Sequence, residues 1–375
     1  MYITPAGNGR QTNEEKKISY DSLILATGAS VNLSITPGAQ KYALPFYTVE
    51  DCFELRKRLS LIDSLQASSS STGGDESLVP TNVVIVGGGY SGVELALNLS
   101  ERLGGSKRNV NVTLVHRGKQ PLQYASEFNR KTALDRLEKS GVTVMTETNV
   151  VEVCESDDES NSFDSSDGTI PGKCKVFLEQ KNNGSNEISS AVDADILLWT
   201  AGATSTNVPK GILNSKLPRD SSGRVVTNNL LRVKDTSNVF ALGDCARSRK
   251  VPYGATAAVA MQQAPVVAWN VYATIMSEIE RGGNDSKEQS LLKFSYVNLG
   301  EMMTLGSSDA TLSSLDGLLQ LSGSSASILR RLIYAVRMPT AEQALTAALS
   351  SSKNKFSSAF TSLEGKKWTS NVRKE

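Results

Sequence analysis

Short apolar runs alternate along the chain with longer amphipathic and polar stretches, and that alternation predicts strands and helices in turn. The first run, "YDSLILATG" (Tyr20–Gly28), reads as a strand that stops at a glycine. Leu44–Leu65 follows with Val49, Phe53, Leu55, Leu59 and Leu65 at mixed three- and four-residue spacings, the period of an amphipathic helix. Gln66–Ser77, "QASSSSTGGDES", has no apolar residue beyond one alanine and is expected to be a flexible linker. At Thr81 the pattern changes to "TNVVIVGGGYSGVELALNLSERL": a β-branched run, three glycines, and a helical period through Val93, Leu95, Ala96, Leu97 and Leu99.

The strand "VNVTLVH" (Val110–His116) comes next, then the helix "EFNRKTALDRLEKSG", which Gly141 is placed to stop, and the strand-like "VTVMTETNVVEV". Glu155–Gly168 is an acidic, serine-rich insertion expected on the surface. The strand "KCKVFLEQK", a turn at "NNG" and the strand "DADILLWTAGA" return the chain to a sheet. "GRVVTNNLLRV" and "NVFALGDCA" are two more strand candidates, and Ala255–Glu280 is an alanine-rich helix that Pro265 should kink or split. From Leu291 onward the character differs, and the tail reads as a separate region.

A chain of 375 residues holds roughly two or three domains. With 21% charged and 39% apolar residues and a net charge of +1, neither a disordered chain nor a nucleic-acid partner is expected. The four cysteines, Cys52, Cys154, Cys174 and Cys245, form no Cys-x-x-Cys pair, which excludes a redox disulfide of that kind and a zinc site built on it. His116 is the single histidine, so a metal site needing several is ruled out, no metal is expected, and a Ser-His-Asp hydrolase lacks its Gly-x-Ser-x-Gly partner. No apolar run reaches the roughly 18 residues of a membrane span. The first residues carry neither the apolar core of a signal peptide nor the composition of a transit peptide.

Gly87-Gly88-Gly89-Tyr90-Ser91-Gly92 fits Gly-x-Gly-x-x-Gly between a strand and a helix. In that setting Gly87 permits the tight turn, Gly89 lets a pyrophosphate approach the backbone, and Gly92 allows close helix–strand packing. The bland alternative is a glycine turn that only connects the two elements. About 20 residues further on, an acidic residue would bind a ribose 2′-hydroxyl. The chain has His116, Arg117 and Lys119 there, which favours a 2′-phosphate and hence NADPH over NADH, unless Arg117 is only a solvated surface charge.

"ILATGA" (Ile24–Ala29), "LLWTAGA" (Leu197–Ala203) and "VFALGDCA" (Val239–Ala246), in that order, resemble the motifs of two-dinucleotide-domain flavoprotein reductases. The resemblance implies that Ala26, Thr27 and Gly28 close an FAD domain, that Gly202 closes an NAD(P)H domain, and that Gly243 and Asp244 bring a carboxylate to the flavin ribitol. Without Cys-x-x-Cys, the chain looks like the type II NAD(P)H:quinone oxidoreductases rather than the disulfide reductases. "NLGEMMTLGSSDA" (Asn298–Ala310), "LSG" (Leu321–Gly323) and "RRLIYAVRMPTAEQ" (Arg330–Gln343) resemble the plastid type C branch found in plants and algae. The resemblance covers about residues 15 to 350.

It implies an α/β protein with two Rossmann-like dinucleotide-binding domains of the three-layer ββα/βα type and a C-terminal amphipathic extension. On this reading 1–50 is a remnant of the FAD domain and 51–80 a helix and linker. The NAD(P)H domain is then 81–203, the second half of the FAD domain 204–290, and the extension 291–375. FAD and NADPH (or NADH) are the implied cofactors. Glu94 matches the carboxylate that lies beside the nicotinamide in this family, with a surface-helix glutamate as its plain alternative. Of the family's Ala-Gln-x-x-x-Gln near quinone and flavin only Gln262 matches, because Ala258 takes the first glutamine's place.

In "SILRRLIYAVRMP", Ile328, Leu329, Leu332, Ile333 and Val336 line one helical face and Arg330 and Arg337 point away, which suits either a lipid surface or docking on a core. Lys353, Lys355, Lys366 and Lys367 lean towards an anionic surface. The resemblance thus implies a quinone acceptor, a peripheral membrane or plastoglobule surface, and a plastid (thylakoid or plastoglobule) or mitochondrial location, and it leaves a homodimer open. An FAD domain of this kind starts with its own glycine fingerprint, and none precedes Ser22, so about a hundred residues are expected to be absent and flavin retention weak. A nucleotide-binding remnant without flavin, or a soluble reductase with another acceptor, are the competing expectations.

Overall fold

The largest sheet has five strands, all parallel, in the order Ala43–Pro45, Ile196–Trp199, Thr81–Val86, Val110–Val115 and Thr143–Met145. Its central strands are the β-branched runs of the sequence. Val83, Ile85, Leu114 and Leu198 are buried there against Val93, Ala96, Leu97 and Leu99 of the helix Tyr90–Arg102. The computed structural model describes residues 2–3, 16–17, 19–70, 80–104, 110–156, 173–182, 185–205, 217–250, 253–280, 290–338 and 340–349.

The chain divides into two compact units, one formed by Met1–Ile35 with Ala201–Asn298 and the other by Thr36–Thr200 with Leu299–Glu375. The five-stranded sheet belongs to the second. So do an antiparallel sheet ordered Ser185–Ala194, Cys174–Asn182, Thr148–Glu155 and a three-stranded meander, Glu301–Thr304, Ala310–Ser314 and Leu319–Ser322. The tail, set apart on composition from Leu291, is divided: its residues up to Asn298 go with the first unit, and from Leu299 it joins the glycine-motif unit, with Met303 and Leu305 buried in that unit's main core. Hydrophobic residues spaced along a meander find a core through tertiary packing, which local composition does not encode.

In the first unit, Leu23–Leu25 pairs in parallel with Val239–Ala241, and Val225–Val226 with Ala246–Arg247. Leu25, Val225, Val233, Val239, Ala241 and Cys245 form one core, while Leu231, Phe240, Val267 and Phe294 form another under the helix Ala257–Glu280. Pro265 lies inside that helix without splitting it. Pro265 and Met261 both lie on the exposed side of the helix, where water can reach the backbone that a proline leaves without its donor.

Other boundaries also move. The helix expected over Leu44–Leu65 runs from Val49 to Ser70 and takes in the first residues of the expected linker, whose remainder lies outside the described residues. The expected strand "DADILLWTAGA" breaks at Asp195, where the chain leaves one sheet for another. Asp195 anchors the switch: its Oδ2 accepts the Asn82 N–H at 2.8 Å, and its carbonyl accepts Nη2 of the buried Arg58 at 2.8 Å. "GRVVTNNLLRV" keeps only Val225–Val226 as strand, with Asn228 turning the chain through its side chain on the Leu230 and Arg232 amides. The acidic insertion and the lysines beyond residue 350 lie outside the described residues, apart from Glu155 and Ser156.

The helix Ser324–Val336 divides the face assigned to it. Leu329 and Ile333 pack on Ala310, Leu312 and Ala326, whereas Ile328, Leu332 and Val336 are exposed, Val336 at 87%. One half of the stripe docks on the meander and the other half meets solvent.

Candidate functional site

The strand Thr81–Val86 ends at Gly87, whose N–H donates to the Val115 carbonyl of the next strand at 2.9 Å. Gly87 has φ 116°, a conformation that L side chains rarely adopt. The turn then runs into the helix at Tyr90 with Gly89 as its N-cap, and no side chain caps the helix start. Its first amides therefore have no side-chain acceptor of their own, the arrangement that favours an anion.

Each glycine has a separate reason. A Cβ on Gly92 would lie 1.8 Å from the Gly87 carbonyl oxygen, so helix and strand touch there through backbone alone. A Cβ on Gly88 would strike the His116 ring at 2.8 Å. A Cβ on Gly89 would meet nothing within 4 Å. The protein itself does not demand a glycine at 89, whereas a ligand brought against the backbone would. Thr200 closes the turn from the neighbouring strand end, donating to the Val86 and Gly87 carbonyls at 2.9 and 3.1 Å.

His116 takes an unexpected role. Its Nδ1 accepts the Gly88 N–H at 3.2 Å, which requires an unprotonated Nδ1, and burial lowers its pKa, with the Arg117 charge acting the same way and the Gln120 backbone against it. It is thus a neutral support beneath the glycine turn and not one of the basic groups awaiting a 2′-phosphate. Arg117 and Lys119 remain, both exposed.

Glu94, one turn into the helix, accepts the Thr304 N–H on Oε1 at 2.8 Å. Burial pushes its carboxyl above the ordinary carboxylate range, opposed by that hydrogen bond and by the Arg330 charge.

In the other unit, Leu25 and Ala241 are register partners of parallel strands, so Ala26-Thr27-Gly28 and Gly243-Asp244 leave the same end of the pair. The Leu25 carbonyl accepts the Leu242 N–H at 3.0 Å and the Cys245 thiol at 3.4 Å. Gly28, Gly202 and Gly243 all have positive φ, of 67°, 73° and 69°. Beyond Gly28 and Gly202 the chain forms one small antiparallel pair, Thr204 opposite Ser30 and Ala203 opposite Val31. The two similar motifs thus meet as partners.

Gly243 and Asp244 line a pocket together with Arg224, Tyr253, Gly254 and Gln263. Gln263, 3% exposed, accepts the Gly243 N–H on Oε1 at 2.7 Å and so fixes the loop that carries Asp244. Sequence reasoning missed it. The signal was present in the helix's spacing: Val259, Gln263, Val267 and Asn270 form the buried stripe, and Gln262 falls beside it. Gln262 instead spends both ends of its amide on the backbone of Val297, donating to the carbonyl at 2.9 Å and accepting the N–H at 3.0 Å. Among the described residues no group of three or more His, Cys, Asp or Glu side chains is placed to hold a metal ion.

Parallel strand, glycine turn and uncapped helix start make the larger unit a dinucleotide-binding α/β fold. The chain belongs to the pyridine nucleotide-disulphide oxidoreductase family, whose model matches residues 6–264. Demethylphylloquinone reductase NdbB of Synechocystis sp. is 34% identical over 342 residues, covering 90% of this chain and 72% of that protein. The alternative NAD(P)H-ubiquinone oxidoreductase C1 of Arabidopsis thaliana, chloroplastic/mitochondrial, is 34% identical over 346 residues, covering 89% of this chain and 59% of its own length. Among solved structures, NDH2 of Plasmodium falciparum in complex with NADH superposes with a TM-score of 0.70 at 16% identity, over 92% of this chain and 80% of that one, a likeness of fold.

Proposed function

We propose that the chain is an FAD-dependent NAD(P)H:quinone oxidoreductase of type II. The observation that carries the reading is the glycine turn, where Gly89 leaves open space at an uncapped helix start, in a chain 34% identical to a demethylphylloquinone reductase. Gly87, Gly89 and Gly92 would hold the dinucleotide phosphates and Arg117 the 2′-phosphate of NADPH, with NADH as the weaker donor. Gly202, in the motif that follows the last parallel strand, belongs to the same nucleotide role. Ala26, Thr27, Gly28, Gly243 and Asp244 would hold FAD, with the pocket that Gly243 and Asp244 share with Arg224, Tyr253, Gly254 and Gln263 as the place where the flavin meets this loop.

When bound, FAD supplies the two-electron chemistry, taking hydride from the nicotinamide and passing the electrons to a quinone. The protein's part is to bind and orient. Glu94 would steady the nicotinamide end, and burial lets its carboxyl keep a proton to higher pH than an exposed one does. Gln263 fixes the Asp244 loop. Gln262 would sit at the quinone side of its helix, its amide held in place by Val297.

The acceptor is a prenylated quinone taken from a membrane or lipid-droplet surface in a plastid or mitochondrion. Two observations support the surface: the exposed Ile328, Leu332 and Val336, and Leu318, just before the strand Leu319–Ser322, at 89% exposure. No described helix is long and apolar enough to cross a membrane.

The test is an absorbance and fluorescence scan of the purified 375-residue chain, without oxygen, on adding FAD and then NADPH. Bleaching of a bound flavin band by NADPH, and its return on adding a short-chain quinone, is the expected result. NADPH binding with no flavin retained would leave a nucleotide-binding protein and sink the reductase. Liposome flotation of the chain cut after Gly323 tests the surface: unchanged binding would remove the helix from that role.

A further inference from the structure

One carboxylate from the C-terminal meander ties together the starts of two helices of the nucleotide fold. Glu301 opens the strand Glu301–Thr304. Its Oε2 accepts the hydroxyl of Tyr90 at 2.8 Å, and both its oxygens lie 3.0 Å from the Ser126 N–H. Oε2 also accepts Nδ2 of the fully buried Asn129 at 3.2 Å.

Tyr90 is the first residue of the helix after Gly89 and stands inside the glycine fingerprint. Ser126 is the N-cap of the helix Glu127–Lys139 and accepts the Asn129 N–H on its own hydroxyl. Each helix follows a strand of the parallel sheet, so both starts lie at the carboxyl end of that sheet, where open α/β sheets take their ligands. At the second helix the carboxylate lies on the N-cap amide itself, where a negative charge is favourable, while it reaches the first helix through the Tyr90 hydroxyl and leaves that helix's amides open.

We infer that Glu301 is a positioning residue of the nucleotide site, holding Tyr90, and through it the first amides of the fingerprint helix, in the orientation that receives the dinucleotide phosphates. The inference rests on the proposed reading of the glycine turn as the NAD(P)H site. Tyr90 is held with its proton on: burial and the neighbouring Glu301 both raise its pKa, so it donates throughout the working pH range. The same segment is fastened elsewhere without touching the turn. Thr304 and Ser307 donate backbone N–H groups to Glu94 and Glu101, and Arg136 Nε meets Asp309 Oδ2 at 2.6 Å. The Arg136–Asp309 pair therefore supplies a control for general loosening of the meander.

The experiment measures the NADPH dissociation constant of the full chain by nucleotide fluorescence, together with the rise in melting temperature that saturating NADPH produces. Glu301→Ala is expected to weaken NADPH about tenfold or more and to shrink that rise, since several hydrogen bonds to a charged group are lost at once. Glu301→Gln, which keeps one acceptor oxygen, should recover part of the loss. Tyr90→Phe should weaken binding a few-fold and add little on top of Glu301→Ala, the mark of a shared interaction.

Asp309→Asn should lower the melting temperature with and without NADPH alike, leaving the dissociation constant within about twofold. Gly89→Ala serves as the reference for the site itself. If the wild type binds no NADPH, or Gly89→Ala binds it as well as wild type, the reading of the glycine turn fails and this inference falls with it. If Gly89→Ala loses NADPH while Glu301→Ala keeps wild-type affinity, the turn stands and Glu301 is overturned as its positioning residue. The inference is also overturned if Asp309→Asn weakens binding as much as Glu301→Ala.

Discussion

The turn at Gly87–Gly92 and the turn at Gly243–Cys245 both follow a parallel strand, yet different contacts hold them. In the first, His116 and Thr200 brace the turn from other strand ends, but its shape is set where backbone meets backbone within a few residues: the Gly92 Cα sits so near the Gly87 carbonyl that no Cβ fits. In the second, Gln263, 20 positions further on, latches the Gly243 amide, and the Cys245 thiol reaches the Leu25 carbonyl 220 positions back. A turn held by missing side chains is visible as glycines in a row. A turn held by distant side chains leaves only a Gly-Asp whose partners must be found in space.

The comparison breaks most readily at Gly92. Gly92→Ala should destabilise the protein by about 3 kcal/mol, since the clash is with backbone and cannot be relieved by a rotamer. Gly89→Ala, with open space around the new methyl, should melt within about 0.5 kcal/mol of wild type while losing NADPH. Thermal unfolding with and without nucleotide reads both. Equal melting of the two variants would show that the glycines are not doing different jobs.

Next in size is the latch. Gln263→Leu leaves the Gly243 N–H without its acceptor and should cost about 1–3 kcal/mol, with weaker flavin retention. Gln262→Ala removes hydrogen bonds that water can replace and should cost less than about 1 kcal/mol. Urea midpoints of the two variants check the order, and its reversal would make Gln262 the structural residue.

A pH series sharpens the glycine-motif unit. Burial raises the Glu94 pKa above the unfolded value, so the folded state holds that proton more tightly. The stability this contributes is fully present below the ordinary carboxylate pKa and is lost as pH rises through the raised one. Glu94→Gln should therefore gain on wild type in melting temperature as pH rises from acid towards neutral. A difference that stays flat with pH would mean that Glu94 titrates as an exposed carboxylate.

Arg117→Ala should have the smallest effect, an approximately fivefold loss of NADPH affinity, about 1 kcal/mol, with NADH unchanged. An equal loss for both nucleotides would return Arg117 to a plain surface charge.

Much of the fold was legible where a pattern is local. The run Thr81–Val86, the glycines and the buried positions Val93, Ala96, Leu97 and Leu99 follow from period and residue type, and the helix Glu127–Lys139 ends where Gly141 enters with φ 69°. The break at Asp195 was not legible, because no glycine or proline separates Ser185–Ala194 from the apolar run Ile196–Trp199 and the reason to stop is a set of partners, Asn82 and Arg58, from other segments. His116 reads as a base in sequence and becomes a neutral acceptor through the amide of Gly88, 28 positions away. The amphipathic face of Ser324–Val336 could not be divided in advance, since only the meander beneath it decides that Leu329 and Ile333 dock while Ile328 and Val336 do not.

The position of the glycine turn, the strand that feeds it, the helix that leaves it, and the placing of Arg117 in place of a carboxylate after the second strand can all be read from the residues in order. These are properties of neighbours along the chain, written in side-chain size and in the backbone freedom of glycine. Folding set which groups these side chains reach: Gln263, on the buried stripe, meets the Gly243 amide, His116 supports the turn, and Glu301 joins the two helix starts. A hydrogen bond needs its partners within about 3 Å, and for these groups only folding sets that distance.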